Sequence, residues 1–395
     1  MSIRAHYASF ALLSVAMFTI AGASLVVLGI GAEVTEALGL PPGSAGYLIT
    51  SFALPYAILA PMFQFLIGGR IGPRTAIVLG GLILGCGLLL SGIAQSGTVL
   101  FAARGITAIG AALVTPAALA AAVELALPEE RGRAIAIVFL GFTLASLIGV
   151  PLGTQITLVA GWRATFYVFA AAAVVTSAMA MAILPSLAPS GSQSLAKSVR
   201  LLSNLPLLAT FGAAIFQLAS QFVFLAAMAP ILVHHFELPQ SHLPAVLAGF
   251  GIAGVIGNHL AGVWSDRAPL RAPLRISMIG LTVTLFVLSF EVNAYIAAAL
   301  FASIAFFGTL FRPPQIVLLS RIADPDDRGL VFGLNTSASY IGLTIGSFAS
   351  ALTIDAYGYS FLGAVGIALL LPAMLLLKGI SHEYFTLPAT SRCDA

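Results

Sequence analysis

Long apolar runs alternate with short polar stretches from one end of this chain to the other. The runs are too long for core strands and lack the two-residue alternation of a barrel strand, so each reads as a helix. About 20 apolar residues cross a bilayer as a helix. The pattern predicts twelve such spans, at about 7–30, 44–67, 75–95, 98–126, 134–159, 164–184, 205–233, 242–264, 275–292, 294–320, 330–353 and 360–378. The first is longer than the ~7–15-residue apolar stretch of a cleavable signal, and is expected to remain in the mature protein. The expected fold is all-α and membrane-embedded: twelve transmembrane helices in two pseudosymmetric six-helix bundles.

The longest polar stretch, 185–204, holds Pro185, Pro189, Ser190, Gly191, Ser192, Gln193 and Ser194 and reads as a linker. It divides the chain into an N-terminal bundle (1–184) and a C-terminal bundle (205–378), with a cytoplasmic tail at 379–395. A shift of 197 residues, the distance from Arg70 to Arg267, lays one half on the other. Arg74 then meets Arg271, Pro42 meets Pro239 and Pro116 meets Pro313. Pro128-Glu129-Glu130-Arg131-Gly132 meets Pro325-Asp326-Asp327-Arg328-Gly329, Gly149 meets Gly346, and Gly161 meets Gly358. Six helices per repeat give both copies one orientation, which predicts a substrate site between parallel repeats.

Composition closes off other classes. The chain is 59% hydrophobic and 8% charged, whereas a soluble domain is roughly 45–50% apolar and about 25% charged. The short loops leave no room for a sizeable ATP-hydrolysing domain. A net charge of +3, scattered between apolar runs, is no nucleic-acid footprint. Of the 17 basic residues, Arg163 falls on one side, Arg104 and Arg312 fall inside spans, and all others share the opposite side. The positive-inside rule makes that side cytoplasmic, with both termini inside a cell inner membrane. Cys86 and Cys393 form no framework.

Three patterns carry a family resemblance. Gly69-Arg70-Ile71-Gly72-Pro73-Arg74 and its repeat Gly262-Val263-Trp264-Ser265-Asp266-Arg267 resemble the G-x-x-x-D-R-x-G-R signature of the major facilitator superfamily. Arg104-Gly105-Ile106-Thr107-Ala108-Ile109-Gly110-Ala111-Ala112 resembles its R-x-x-Q-G-x-G-A-A motif. Gly149-Val150-Pro151-Leu152-Gly153-Thr154, then Gly161-Trp162-Arg163-Ala164-Thr165-Phe166, is similar to the drug and sugar efflux branch, of the arabinose-efflux-permease kind. The resemblance implies secondary transport by alternating access, with proton antiport, and a role for Arg104 in proton coupling. Departures are plain: Gly69 stands at the acidic position, Phe65 at the first glycine and Thr107 at the glutamine. Ser24 stands where many efflux relatives carry a helix-1 glutamate, so the usual proton route is in doubt.

Candidate residues follow, each beside its plainer reading. Arg312, before Pro313 and Pro314, lies deep in the tenth span, where a charge calls for a cavity or a partner. Otherwise it is a structural arginine on carbonyls freed by the prolines. Arg104 could equally snorkel to the outer interface. Gln155, Gln217, Gln221, Asn335 and His259 are candidate cavity groups; each could instead bond neighbouring helices, His259 to Asn335 or backbone. Arg70, Arg74, Glu124, Asp266, Arg267, Arg321 and Arg328 form a candidate cytoplasmic gate, with Arg70 or Arg74 expected on Glu124 and Asp266 on Arg321 or Arg328. Their plain reading is positive-inside topology plus capping. Gly149, Pro151 and Gly153, with Gly342 and Gly346, are expected to pack helices closely between the halves. Glu33, Glu36, Glu291 and Asp355 read as solvated outer-end groups.

The G-x-G-x-x-G stretch from Gly249 to Gly254 lies inside a span with no preceding strand, so no dinucleotide site follows. His234-His235 lacks further metal ligands nearby. No nucleophile–base arrangement, cofactor site or metal site is expected. The predicted function is export of a small drug- or sugar-like molecule by a monomer that exchanges protons. The alternatives are an uncoupled facilitator or proton symporter for uptake, an organic-anion exporter, and, in another class, a membrane enzyme or sensor.

Overall fold

A computed structural model describes residues 7–66, 70–127, 130–189, 200–267, 269–324 and 327–385. All regular structure among them is helical. Eleven stretches are long and apolar enough to cross a membrane. The remaining predicted span is a 17-residue helix, Arg271–Val287. It starts one turn earlier than the apolar pattern suggested and stops earlier too, because Ser289 and Phe290 turn back onto the carbonyls of Phe286 and Val287. The middle of the predicted linker, 190–199, and the end of the tail lie outside the described residues.

Residues cluster into two units, Met1–Leu195 with Pro239–Ala248, and Ala196–Leu238 with Gly249–Ala395. The first unit contains α1 (Tyr7–Leu25), α2 (Val27–Ala37), α3 (Ser44–Leu66), α4 (Pro73–Ile93), α5 (Gly97–Leu125), α6 (Arg131–Leu144), α7 (Val150–Ala160) and α8 (Trp162–Ile183). α4 packs along α5 and α8, α3 along α5, and α1 along α6 and α8. Predicted as one helix, the first span is two, broken at Val26 and carried on to Ala37. The fifth span has a wide turn at Ala145–Gly149, where the Val150 N–H reaches the Ala145 carbonyl, five residues back. Pro151, with no N–H of its own, sits at the start of α7 beyond it.

The second unit contains α9 (Leu205–Leu225), most of α10 (Leu243–Arg267), α11 (Arg271–Val287), α12 (Ala294–Leu310), α13 (Arg312–Ile322), α14 (Arg328–Tyr357) and α15 (Leu362–Lys378). Here α9 packs along α14 and α15, and α11 along α12. Asn204 and Asn293 cap α9 and α12, accepting from the Leu207 and Tyr295 N–H groups. Gly161 and Gly358, one repeat apart, both take positive φ (82° and 72°) between the fifth and sixth spans of their halves. The tenth predicted span breaks at Phe311, between α12 and α13.

The small-residue faces pack within each unit. An added Cβ at Gly149 would meet Phe18 at 3.2 Å, and one at Gly153 would meet Val26, then Thr165 at 3.2 Å. Gly342 and Gly346 lie against backbone of Ile215 and Ala219 on α9. The nearest neighbours of these glycines lie in their own bundles, on α1 and α8 for Gly149 and Gly153 and on α9 for Gly342 and Gly346. Pro151 is half-buried beside them.

Candidate functional site

In the first unit the polar centre is Arg104, fully buried on α5. Its Nη1 donates to the Ala23 carbonyl at 2.6 Å, its Nη2 to Ser24 at 3.2 Å and its Nε to Leu48 at 3.4 Å. Ala23 and Ser24 lie in the last turn of α1, just before the break at Val26, so the guanidinium stands where the helix ladder is interrupted. Its flat face lies 5.0 Å from the centre of the Phe52 ring. Phe52 stacks on Tyr56 at 6.0 Å, and the Tyr56 hydroxyl bonds Thr115. Leu48, Phe52 and Tyr56, spaced by four, therefore present one face of α3 to α5. Arg104 ties three helices together. It does not snorkel, and its partners are carbonyls and a ring face.

In the second unit the polar centre is Arg312, at the start of α13. It stands ten residues from Ile322, the end of its span, about 15 Å at 1.5 Å per residue and near mid-bilayer. Its side chain is exposed. Among the described residues it forms no hydrogen bond or ion pair, and Tyr340 of α14 lies within its electrostatic reach. A charged arginine at this depth costs at least ~2.5–3.5 kcal/mol against hydrocarbon, so its open face requires water or an anion. The carbonyls freed by Pro313 and Pro314 do not take it up.

The predicted cavity amides divide. Gln217 and Gln221 are buried on α9 and donate to the Gly308 and Ile304 carbonyls of α12 at 3.5 and 3.3 Å. Gln315 and Asn335 close on each other across α13 and α14, at 2.8 and 3.4 Å. Asn335 is thus taken by Gln315, and not by His259. Gln155 on α7 and His259 on α10 are exposed within their spans.

At the arginine-rich end Arg74, Arg328 and Arg321 are held by carbonyls. Arg74 donates to the Met181 carbonyl. Arg70 and Glu124 are both exposed, and among the described residues no ion pair joins Glu124 to Arg70 or Arg74. Arg328 Nε bonds the Ser320 carbonyl at 3.1 Å. Arg321 Nη1 bonds the Tyr384 carbonyl at 3.1 Å. The side chains of Asp266 and Arg267 lie outside the described residues, so their expected contacts do too. In place of a loose tail, residues 380–385 are docked. Arg271 donates to Ile380 at 3.2 Å and lies 4.6 Å from the centre of the Phe385 ring, and the Leu270 N–H bonds the Phe385 carbonyl at 3.0 Å. The sequence reading missed this clamp; Phe385 follows a polar stretch and carries no periodicity signal.

At the other end Glu33, read from sequence as solvated, is partly buried. Burial pushes its carboxyl up, against the pull of the Trp162 N–H, and Glu36 adds to the rise.

The family model described as Major Facilitator Superfamily matches residues 12–216 and 210–384. The "Chloramphenicol resistance protein" of Streptomyces lividans is 30% identical over 65% of this chain and 67% of its own. A "Probable sugar efflux transporter" of Mannheimia succiniciproducens is 22% identical over 93% of this chain and 92% of its own. Among solved structures, a bacterial homologue of the human lysosomal transporter Spinster, inward-facing and occupied, superposes with a TM-score of 0.77. The two share 15% identity over 98% of this chain and 100% of that one, a likeness of fold.

Proposed function

We propose that this chain, which belongs to the Major Facilitator Superfamily, exports a small solute by alternating access at a site that includes Arg312. The observation that carries the reading is an open, unbonded cation near mid-bilayer, on a helix broken beside it. Alternating-access carriers hold their substrate at that depth, often on interrupted helices. Export as the direction is supported by the helix-5 residues Gly149 to Gly153 and by the similarity to the "Probable sugar efflux transporter". If protons are exchanged, His259 is the histidine well inside a span and open to carry them.

The test is uptake into everted membrane vesicles from cells making the protein, across a panel of drugs, sugars, nucleosides and organic anions. The expected outcome is accumulation of one class, lost in Arg312→Gln at equal membrane abundance. Uptake that runs in right-side-out vesicles and not in everted ones overturns export. Full activity in Arg312→Gln removes Arg312 from the path. Dissipation of an inside-acid pH gradient, abolished in His259→Gln, would assign proton antiport.

A further inference from the structure

We infer that the exported solute is an organic anion bearing a carboxylate, gripped by Arg312, and that the membrane potential drives it out without proton exchange; this rests on the export reading above. Of the 14 acidic residues, Glu124 and Asp355 fall in the last turn of their spans, and Glu33 and Glu36 lie on α2, past the break in the first span. Helix α11 has none. Among the described residues no carboxylate therefore lies at the depth of Arg312.

The two intramembrane arginines solve this differently. Arg104 spreads its charge over three carbonyls and a ring face. Arg312 has no such cradle, and the nearby amides of Gln315 and Asn335 are turned onto each other. A planar guanidinium with its donors free is the side chain best suited to take a carboxylate through two parallel hydrogen bonds. Tyr340, within reach of the same charge, places a neutral hydroxyl beside the anion.

The same missing acid bears on energy. Antiport needs a group that trades its proton for the substrate; among the described residues no carboxylate stands at that depth, which leaves His259, on another helix, as the group that antiport would have to use. An anion needs none. Across an inside-negative membrane of about 100 mV, a singly charged anion is favoured outside by roughly 50-fold at equilibrium. A carrier that lets it cross suffices.

The experiment records charge movement from purified protein in liposomes on a solid-supported membrane, at equal pH on both sides. The solutes are benzoate, hexanoate and gluconate, then benzamide and hexanamide, then benzylamine and hexylamine. The expected result is current of negative sign with at least one carboxylate and none with its amide or amine. Arg312→Gln abolishes that current, Arg312→Lys keeps a reduced one, and Tyr340→Phe raises the half-saturating concentration several-fold at unchanged maximal current. No current from any carboxylate, equal response to a neutral or cationic isostere, or a current that reverses with an imposed pH gradient overturns the inference. A neutral solute concentrated by everted vesicles, dependent on Arg312, would defeat this inference and leave export standing. Failure of every solute to accumulate there defeats export itself.

Discussion

The crossing of the first and fourth spans and that of the seventh and tenth occupy equivalent places in the repeat, yet they are wired in opposite senses. In the first, a cation on α5 donates into the backbone of α1 and α3. In the second, neutral amides on α9 donate into the backbone of α12. The 197-residue shift puts Gln221 at the place of Ser24 and Phe301 at the place of Arg104. Phe301 is fully buried and meets Phe224 edge-on at 6.2 Å. Both crossings satisfy carbonyls that a lipid environment cannot. One does so with a charge that must keep its partners, the other with dipoles that lose less when a bond is remade. The second unit carries its open arginine, Arg312, within that softer wiring.

The difference can be broken by mutation. The largest effect belongs to Arg104→Met, which takes the donor from the Ala23 and Ser24 carbonyls at the helix break, while the Leu48 carbonyl keeps the Ser51 hydroxyl. We expect a loss of about 3–5 kcal/mol, read as a fall in unfolding midpoint in nanodiscs, with only partial recovery in Arg104→Lys. A loss no greater than that of Gln221→Leu would erase the contrast. Gly308→Ala comes next: a Cβ there would enter the Gln221 amide, an overpacking of about 1–3 kcal/mol. Combining it with Gln221→Ser, the residue of the equivalent position, should recover much of that loss in a double-mutant cycle. The smallest effect sharpens the picture. Gln315→Leu together with Asn335→Leu removes both halves of a closed amide pair, and about 0.6 kcal/mol, up to ~1.7, is expected from thermal unfolding. A cost well beyond that range would mean the pair holds more than α13 on α14.

The spans were legible because a bilayer leaves helices little freedom of length or composition, and eleven of the twelve predicted positions hold helices able to cross. The break at Val26 was not legible. Leu25-Val26-Val27 contains neither glycine nor proline, and the residue that accommodates the break, Arg104, lies some 80 positions away. Arg104 and Arg312 looked alike in sequence, since each is one cation in an apolar run. Only the surroundings separate a guanidinium saturated by carbonyls from one left open. The glycine faces on α7 and α14 were visible as spacing, but spacing does not name the neighbour, and the neighbours proved to be α1 and α9 of the same bundle. Gln217 and Gln221, four positions apart, share a face of any helix through them; that the face looks onto α12 is tertiary information.

The docked segment after α15 sets a practical limit on how the chain can be cut. Ile380 and Phe385 are buried, and Arg271 and Arg321 each hold a carbonyl of this stretch. A truncation after Gly379 would strip cover from the apolar surface that Phe385 occupies and remove the carbonyls of Ile380 and Tyr384 that Arg271 and Arg321 hold. Such a shortened protein is expected to extract poorly and aggregate in detergent. Purification handles therefore belong beyond Phe385, and a protease site engineered into 380–385 should be cleaved slowly while the fold is intact. That makes the cleavage rate a convenient gauge of whether a purified sample is sound.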